Sequence, residues 1–90
     1  MTALQGHVTA TYEQLILAFG PPNVGGDGYK TDVEWEVAQD VFIYNWKNGR
    51  NYLGEDGTPV ELITRWNIGG LSQLAVDFVK RRVHATTPHA

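Results

Sequence analysis

The order of hydrophobic and polar positions predicts a helix near the start of the chain. Apolar side chains recur at helical spacing over residues 12–19: Tyr12, Leu15, Ile16 and Phe19. Thr11 and Gln14 have the spacing of a capping box, in which each side chain bonds the backbone N–H of the other residue. Gly20 followed by Pro21 does not continue a helix. We therefore predict a first helix over about 12–19.

After a glycine-rich loop, the hydrophobic period changes to that of a strand. Apolar residues then occupy every second position: Val33, Trp35 and Val37. A tight turn at residues 39–40 would lead into a second strand over 41–46. Because this second strand is apolar on both faces, we expect it in the middle of a sheet. A third strand is predicted over 63–68, ended by the two glycines that follow it.

The C-terminal third of the chain predicts a second helix, with Ser72 as its N-cap. Its apolar stripe comprises Leu74, Ala75, Phe78, Val79 and Val83. Residues 58–61 fit a short helical turn before the third strand. The predicted fold class is α+β, in the order α-β-β-β-α, with a three-stranded antiparallel sheet and two helices packed on one face. We expect a single domain over 11–85, a flexible lead-in over 1–10 and a flexible tail over 86–90.

Composition and charge narrow the function classes. The chain has 90 residues, 42% of them hydrophobic, and no cysteine, so disulfides and thiolate metal sites are excluded. Its first 79 residues carry four basic and ten acidic side chains, a net charge of −6. That charge argues against nonspecific binding of duplex nucleic acid. With no apolar run of about 20 residues and no secretory signal pattern, we expect a cytoplasmic protein that does not enter a membrane.

The segment 43–52 carries the strongest candidate chemistry. Ring faces, amides and positive charge are concentrated there around one glycine, and such groups bind planar, polar or anionic partners. The predicted ligand-binding residues are Tyr44, Trp46, Lys47, Asn48, Arg50, Asn51 and Tyr52. The alternative is that Tyr44 and Trp46 fill the core and that Asn48-Gly49 is simply a turn.

Other candidate sites are weaker. The glycine-rich loop over 25–30 lies between a helix and a strand, the reverse of a phosphate-binding loop, so we favour a connector. The alternative is a lid that brings Lys30 to an anion. Glu34 and Glu36 share a strand face but lack a complementary partner for acid–base work. The three histidines lie near the chain ends (His7, His84 and His89). We therefore expect no enzyme activity, no metal site and no cofactor.

Three blocks of the chain resemble small accessory proteins encoded by bacteriophages. These blocks run from Gly26 to Trp35, from Ile43 to Gly49 and from Ile63 to Gly70. With the helix capped by Thr11, the resemblance covers about residues 11–84. It implies a setting in the host cytoplasm and interference with bacterial defence. No binding residue is implied by the resemblance.

Two binding functions fit these observations. In the first, the protein sequesters a nucleotide-like signalling molecule, and the ring of Trp46, Tyr44 or Tyr52 stacks on its base. Lys47 and Arg50 hold its phosphate, and Asn48 or Asn51 reads a polar edge. In the second, the exposed sheet face and the acidic body of the chain dock onto a host defence protein and occlude it. An oligomeric interaction module is also left open, with surplus aromatic residues such as Trp35 or Trp66 at the interface.

Overall fold

The computed structural model describes residues 1–88, which form seven helices and strands. In chain order they are β1 (Ala3–Thr9), α1 (Tyr12–Phe19), β2 (Glu34–Ala38), β3 (Val41–Tyr44), α2 (Arg50–Leu53), β4 (Arg65–Gly70) and α3 (Leu74–Thr86). Two 3₁₀ turns lie between α2 and β4, at Gly54–Asp56 and Val60–Leu62. The predicted tail falls partly outside this description, since His89 and Ala90 are not among the described residues.

The four strands form one antiparallel sheet in the order β1-β4-β3-β2. Helices α1 and α3 cover one face, and the other face is open. The core lies between them, and its largest fully buried apolar side chains are Trp35, Trp66, Leu15, Ile43, Ile68 and Val79. The indole N–H groups are satisfied inside the protein, since Trp35 donates to the Gly20 carbonyl at 2.8 Å and Trp66 to the Ala10 carbonyl at 2.9 Å. Burial of two indoles thus joins the sheet to both ends of α1.

The α+β class and the antiparallel sheet are confirmed, but the predicted number of strands is wrong. Residues assigned to the lead-in form the edge strand β1, which pairs with β4. Only Val8 of this strand is buried, and Gly6 lies against Val76 of α3. A strand with a glycine at one of its inward positions lacks the apolar alternation by which strands are recognised. The third helix, α2, begins after Gly49, where the sequence predicts only a turn.

Local signals at α1 were read correctly. Its bounds are those predicted, and both hydrogen bonds of the Thr11–Gln14 capping box are present. Gly20 ends the helix with a positive φ of 80°, a backbone conformation that favours glycine. The predicted position of the second strand is also confirmed, because β3 lies between β4 and β2.

Two predictions about burial are wrong. The buried residues of α3 are Ala75, Val76, Val79 and Val83, whereas Leu74 and Phe78 are exposed. Trp35 and Trp66 are fully buried, so neither is available for an intermolecular interface. The inner stripe of α3 is made of small residues because Gly6 and Gly70 let this helix approach the sheet closely.

Candidate functional site

An exposed tryptophan with two lysines lies just beyond the end of β3. The Trp46 side chain is 44% exposed. The Lys30 ammonium nitrogen lies 5.4 Å from the centre of the Trp46 ring, and that of Lys47 lies 6.0 Å from it. At these distances the ring attracts both cations.

Two tyrosines extend this surface. The Lys47 ammonium nitrogen is also 5.7 Å from the Tyr52 ring, and the Tyr52 ring centre is 5.1 Å from that of Tyr29. We call the five residues Tyr29, Lys30, Trp46, Lys47 and Tyr52 the Trp46 patch. The patch combines rings and positive charge on a chain whose net charge is −3.

A buried amide positions the two segments that form the patch. Asn45 is 1% exposed, and its Oδ1 accepts the backbone N–H groups of Asp32 at 2.8 Å and Val33 at 3.2 Å. Its Nδ2 donates to Asp32 Oδ1 at 3.0 Å and to Asn48 Oδ1 at 3.1 Å. Four hydrogen bonds to one buried side chain therefore fix the loop before β2 against the end of β3.

The two lysines of the patch are also linked through their backbones. The Lys47 N–H donates to the Lys30 carbonyl at 2.7 Å, and Lys47 has a positive φ of 59°. The next glycine, Gly49, is buried against the Asp32 carboxylate, which a Cβ at this position would overlap. The close approach of these loops thus depends on a residue without a side chain.

Asp27 organises the loop that carries Tyr29 and Lys30. Its Oδ1 accepts the backbone N–H groups of Tyr29, Lys30 and Thr31 at distances of 2.8 to 3.0 Å. These hydrogen bonds lower the pKa of Asp27 below its ordinary value, and the one from the Tyr29 N–H has the largest effect. The loop is therefore held in one turn by a carboxylate that is ionised at neutral pH.

A cavity on the open sheet face is lined by Tyr44, the neighbour of Trp46. Its volume is about 230 Å³, and it is lined by Thr2, Ala3, Leu4, Glu34, Phe42, Tyr44 and Gly69. Gly69 lies between these walls, because it pairs with Phe42 and with Leu4 on the two neighbouring strands. The Tyr44 ring lines the cavity and also meets the Trp46 ring edge-on, with 6.3 Å between centres. Tyr44, which is outside the patch, therefore connects the cavity to Trp46.

Titratable groups in this cavity have altered pKa values. Glu34 and Tyr44 lie directly opposite each other on β2 and β3. Burial, reinforced by the charge of Asp27, raises the pKa of Glu34. Burial and the Glu34 carboxylate likewise raise the pKa of Tyr44. Both groups are partly removed from water.

The sequence-predicted site residues are distributed over three places. Trp46, Lys47 and Tyr52 come together in the patch, and Tyr44 adjoins it. The Asn51 amide donates to the Thr31 carbonyl at 3.1 Å, so like that of Asn48 it is engaged in holding the loops. Arg50 is exposed at the start of α2 and lines a separate recess with Gly54 and Glu55. Ligand binding by these seven residues stays a prediction.

Tyr29 and Lys30 belong to the patch but are not among the seven residues predicted from the sequence. We favoured a connector for their loop, and the lid alternative named only Lys30. The usable signal was Asp27, because an aspartate followed by glycine and three further residues can fix a turn through its own carboxylate. The position of that turn on the surface depends on Asn45. This residue is 18 positions after Asp27 and 14 positions after Thr31 in the sequence.

Within residues 1–88, His, Asp and Glu side chains do not group in threes as a metal site requires. Across the same residues, every helix is too short or too polar to span a bilayer. Comparison of the chain with family models, curated proteins and solved structures finds no significant match. The resemblance to bacteriophage proteins therefore stays a prediction, and the function is argued from the geometry of the site.

Proposed function

We propose that the protein is a non-catalytic binding protein that sequesters a nucleotide-like small molecule on the Trp46 patch. The observation that supports this proposal is the position of two lysine ammonium groups within 6.0 Å of the centre of one exposed indole ring. A nucleotide has the complementary parts, a planar base and an anionic phosphate.

The energetics favour such a ligand over an apolar one. An aromatic ring stacked on a base contributes about 1–3 kcal/mol and accepts every base, because each has a π face. Lys30 and Lys47, whose ammonium groups lie over the Trp46 ring, would neutralise a phosphate beside it. On an acidic chain, the two cations form a local positive region that attracts anions.

The patch is also organised before a ligand arrives. The backbone bond between Lys47 and Lys30 and the Asn45 hydrogen bonds fix the two loops relative to each other. When the binding groups are already in place, less free energy is spent on ordering side chains and loops as the ligand binds, and the affinity is higher. This arrangement suits retention of a ligand, which sequestration requires.

Direct binding measurements test this function. Isothermal titration with a panel of linear and cyclic nucleotides should give saturable binding, and the nucleotide should be recovered unchanged after denaturation of the protein. Trp46→Ala should weaken binding about tenfold or more through loss of stacking, and Lys47→Ala should weaken it and reduce its salt dependence.

The matched control is Lys80→Ala, which removes an exposed lysine from α3 and should leave affinity unchanged. Absence of binding across the whole panel would contradict the proposed function. Equal losses in the Lys47 and Lys80 variants would contradict the assignment to the patch. Native mass spectrometry of the purified protein adds an independent readout, since a sequestered nucleotide would be retained as added mass.

The setting that we propose is the one implied by the bacteriophage resemblance, namely withdrawal of a nucleotide signal from a bacterial defence pathway in the host cytoplasm. The alternative, in which the acidic sheet face occludes a host defence protein, also stays a proposal. Charge reversal at Glu36, which is exposed on that face, tests it in a pull-down with host lysate, where retained capture by Glu36→Lys would count against it.

A second candidate function, self-association, is supported by the outer face of α3. Leu71, Leu74 and Phe78 are 63%, 74% and 37% exposed, and a groove of about 430 Å³ lies along this face of the helix. Asp77 and Arg81 border the same groove. A second copy packed antiparallel, with a two-fold axis near Phe78, would pair each Asp77 with the partner's Arg81. The apolar residues and the Asp77–Arg81 pair are therefore complementary to themselves about this axis, and Arg82 adds a second cation to the groove.

Sedimentation equilibrium tests this interface. The wild-type protein should form dimers, and Leu74→Glu should shift it to monomers by placing a charge in the apolar contact. Leu62→Glu is the control, because Leu62 is 67% exposed and lies on a 3₁₀ turn outside this face. A wild-type protein that remains monomeric throughout the concentration range would contradict self-association.

A further inference from the structure

The cavity beside the Trp46 patch has one wall that attracts hydrogen-bond donors. The Glu34 carboxylate lines it, and within residues 1–88 no side chain or backbone group donates a hydrogen bond to that carboxylate. An ionised carboxylate only accepts hydrogen bonds. Left half-buried without a donor, it is a strong acceptor for whatever enters the cavity.

The cavity and the patch are opposite in charge. Glu34 gives the cavity a carboxylate, whereas the ammonium groups of Lys30 and Lys47 lie over Trp46, whose ring meets that of Tyr44. A ligand that spans both places needs N–H groups at one end and an anion at the other. A nucleotide fits if its base presents donors at the edge that enters the cavity.

Only one common base presents two adjacent donors. The Watson–Crick edge of guanine carries its ring N–H next to its amino group, which together match the two oxygens of a carboxylate. Adenine and cytosine place an unprotonated ring nitrogen beside their amino group, and that lone pair repels the carboxylate. In uracil, the single N–H of this edge lies between two carbonyl oxygens, and their lone pairs also repel the carboxylate.

The size and walls of the cavity suit a single ring system. Its volume of about 230 Å³ is below the range of about 300 to 1,000 Å³ that holds drug-sized ligands. Leu4, Phe42 and Tyr44 supply apolar surface at its sides, and Gly69 leaves its floor without a side chain. A base stacked on Trp46 would bring its edge past the adjoining Tyr44 ring into this cavity, and its phosphate would lie near Lys30 and Lys47.

We propose that the ligand is a guanine nucleotide, whose base edge is bound by Glu34 in the cavity over Gly69 and whose phosphate is bound by Lys30 and Lys47. This inference rests on the proposed function and adds the identity of the base. Glu34 is therefore assigned as the specificity-determining residue of the site.

Competition between mononucleotides tests the assignment. The wild-type protein should bind guanosine monophosphate about tenfold or more tightly than adenosine monophosphate, the size of effect expected for a good bidentate contact. Inosine monophosphate, which lacks the amino donor, should fall between them. Glu34→Gln should weaken guanosine monophosphate about tenfold and should bind adenosine monophosphate at least as tightly as the wild type does, because the amide presents a donor where the carboxylate presented an acceptor.

A second variant tests the cavity without touching Glu34. Gly69→Ala should keep the fold, because its Cβ would lie 3.4 Å from Tyr44 and 3.7 Å from Phe42, which are ordinary contact distances. It should nevertheless weaken guanosine monophosphate by raising the floor. Thermal unfolding of Glu34→Gln and Gly69→Ala serves as the folding control. The ratio of the affinity for guanosine monophosphate to that for adenosine monophosphate is the second readout, because a purely structural effect would leave this ratio unchanged.

The outcomes separate this inference from the proposed function. If no nucleotide binds, the proposed function fails and the inference fails with it. If adenine and guanine nucleotides bind equally, and their binding is weakened by Trp46→Ala, the function stands and the guanine assignment is overturned. A guanine preference that persists in Glu34→Gln would overturn the role of Glu34.

Discussion

Glu34 lies where its surroundings disfavour the ionised form of its carboxyl group. It lies opposite Tyr44 on the open sheet face, and its surroundings raise the pKa of its carboxyl above the ordinary value of 4.5. A carboxyl whose pKa is higher in the folded state contributes most to stability below its unfolded pKa. That contribution is lost as the pH rises through the folded value. Holding Glu34 ionised near pH 7 therefore costs stability.

Glu34→Gln should accordingly raise the free energy of unfolding at about pH 7, because the neutral amide removes the cost of burying charge. The difference from the wild type should shrink as the pH falls below about 4.5, where the carboxyl is protonated in both states. Urea unfolding at the two pH values measures this. Glu55→Gln, at an exposed residue of a 3₁₀ turn, is the control. A loss of stability in Glu34→Gln near pH 7 would contradict the prediction.

The junction of β4 and α3 depends on the two glycines that end the strand. The sequence predicts that Gly69-Gly70 breaks the third strand, yet both residues belong to β4. Gly70 lies against Ala75, so that α3 packs directly on the sheet backbone. At Gly69 the side-chain position is on the opposite, open face of the sheet, where this residue forms the floor of the cavity. Neighbouring glycines thus have different roles because side-chain positions alternate along a strand.

Gly70→Ala should destabilise the protein by about 1–3 kcal/mol, the usual cost of overpacking, because its Cβ would overlap that of Ala75 and force α3 outward. Gly69→Ala should cost much less, since its Cβ meets only ordinary contacts. Chemical denaturation of the pair measures the difference. Equal destabilisation by the two substitutions would contradict the described packing.

The molecule as a whole divides its three tryptophans between interior and surface. Trp35 and Trp66 are fully buried, and their rings meet edge-on with 5.5 Å between centres. Trp46 is on the surface beside the cavity. Two indoles are therefore part of the core, whereas the third is 44% exposed and contributes little to the buried interior.

Acrylamide quenching of tryptophan fluorescence should reflect this division. In the native protein, the quenchable component should come from Trp46, and Trp46→Phe should leave mainly protected emission. After unfolding in guanidinium chloride, the remaining tryptophans of the variant should become quenchable. Strong native-state quenching that survives Trp46→Phe would contradict the burial of the other two indoles.

Local features of the sequence predicted local structure well. The extent of α1 follows from Thr11, Gln14 and Gly20, because a cap, a helical period and a stop lie within a few residues of one another. The antiparallel arrangement follows from alternating apolar positions and short connections. The aromatic and cationic character of the segment 43–52 was also evident from composition.

Other features depended on contacts between distant segments. Strand β1 is held by its pairing with β4, although its own residues show little apolar alternation. Tyr29 and Lys30 join the site because Asn45 binds the backbone of the loop that follows them. In the same way Asn48, predicted to contact a ligand, is engaged by Asn45.

The amino-acid sequence by itself therefore determined the fold class, the limits of the first helix and the kind of chemistry on the surface, since these depend on neighbours along the chain. Only the tertiary structure decided which side of the sheet each residue faces, which loops meet at Trp46, and that a glycine in β4 opens a cavity beside Glu34. The physical reason is that strand register and buried hydrogen bonds join residues that are far apart in sequence, and no local pattern encodes those pairings.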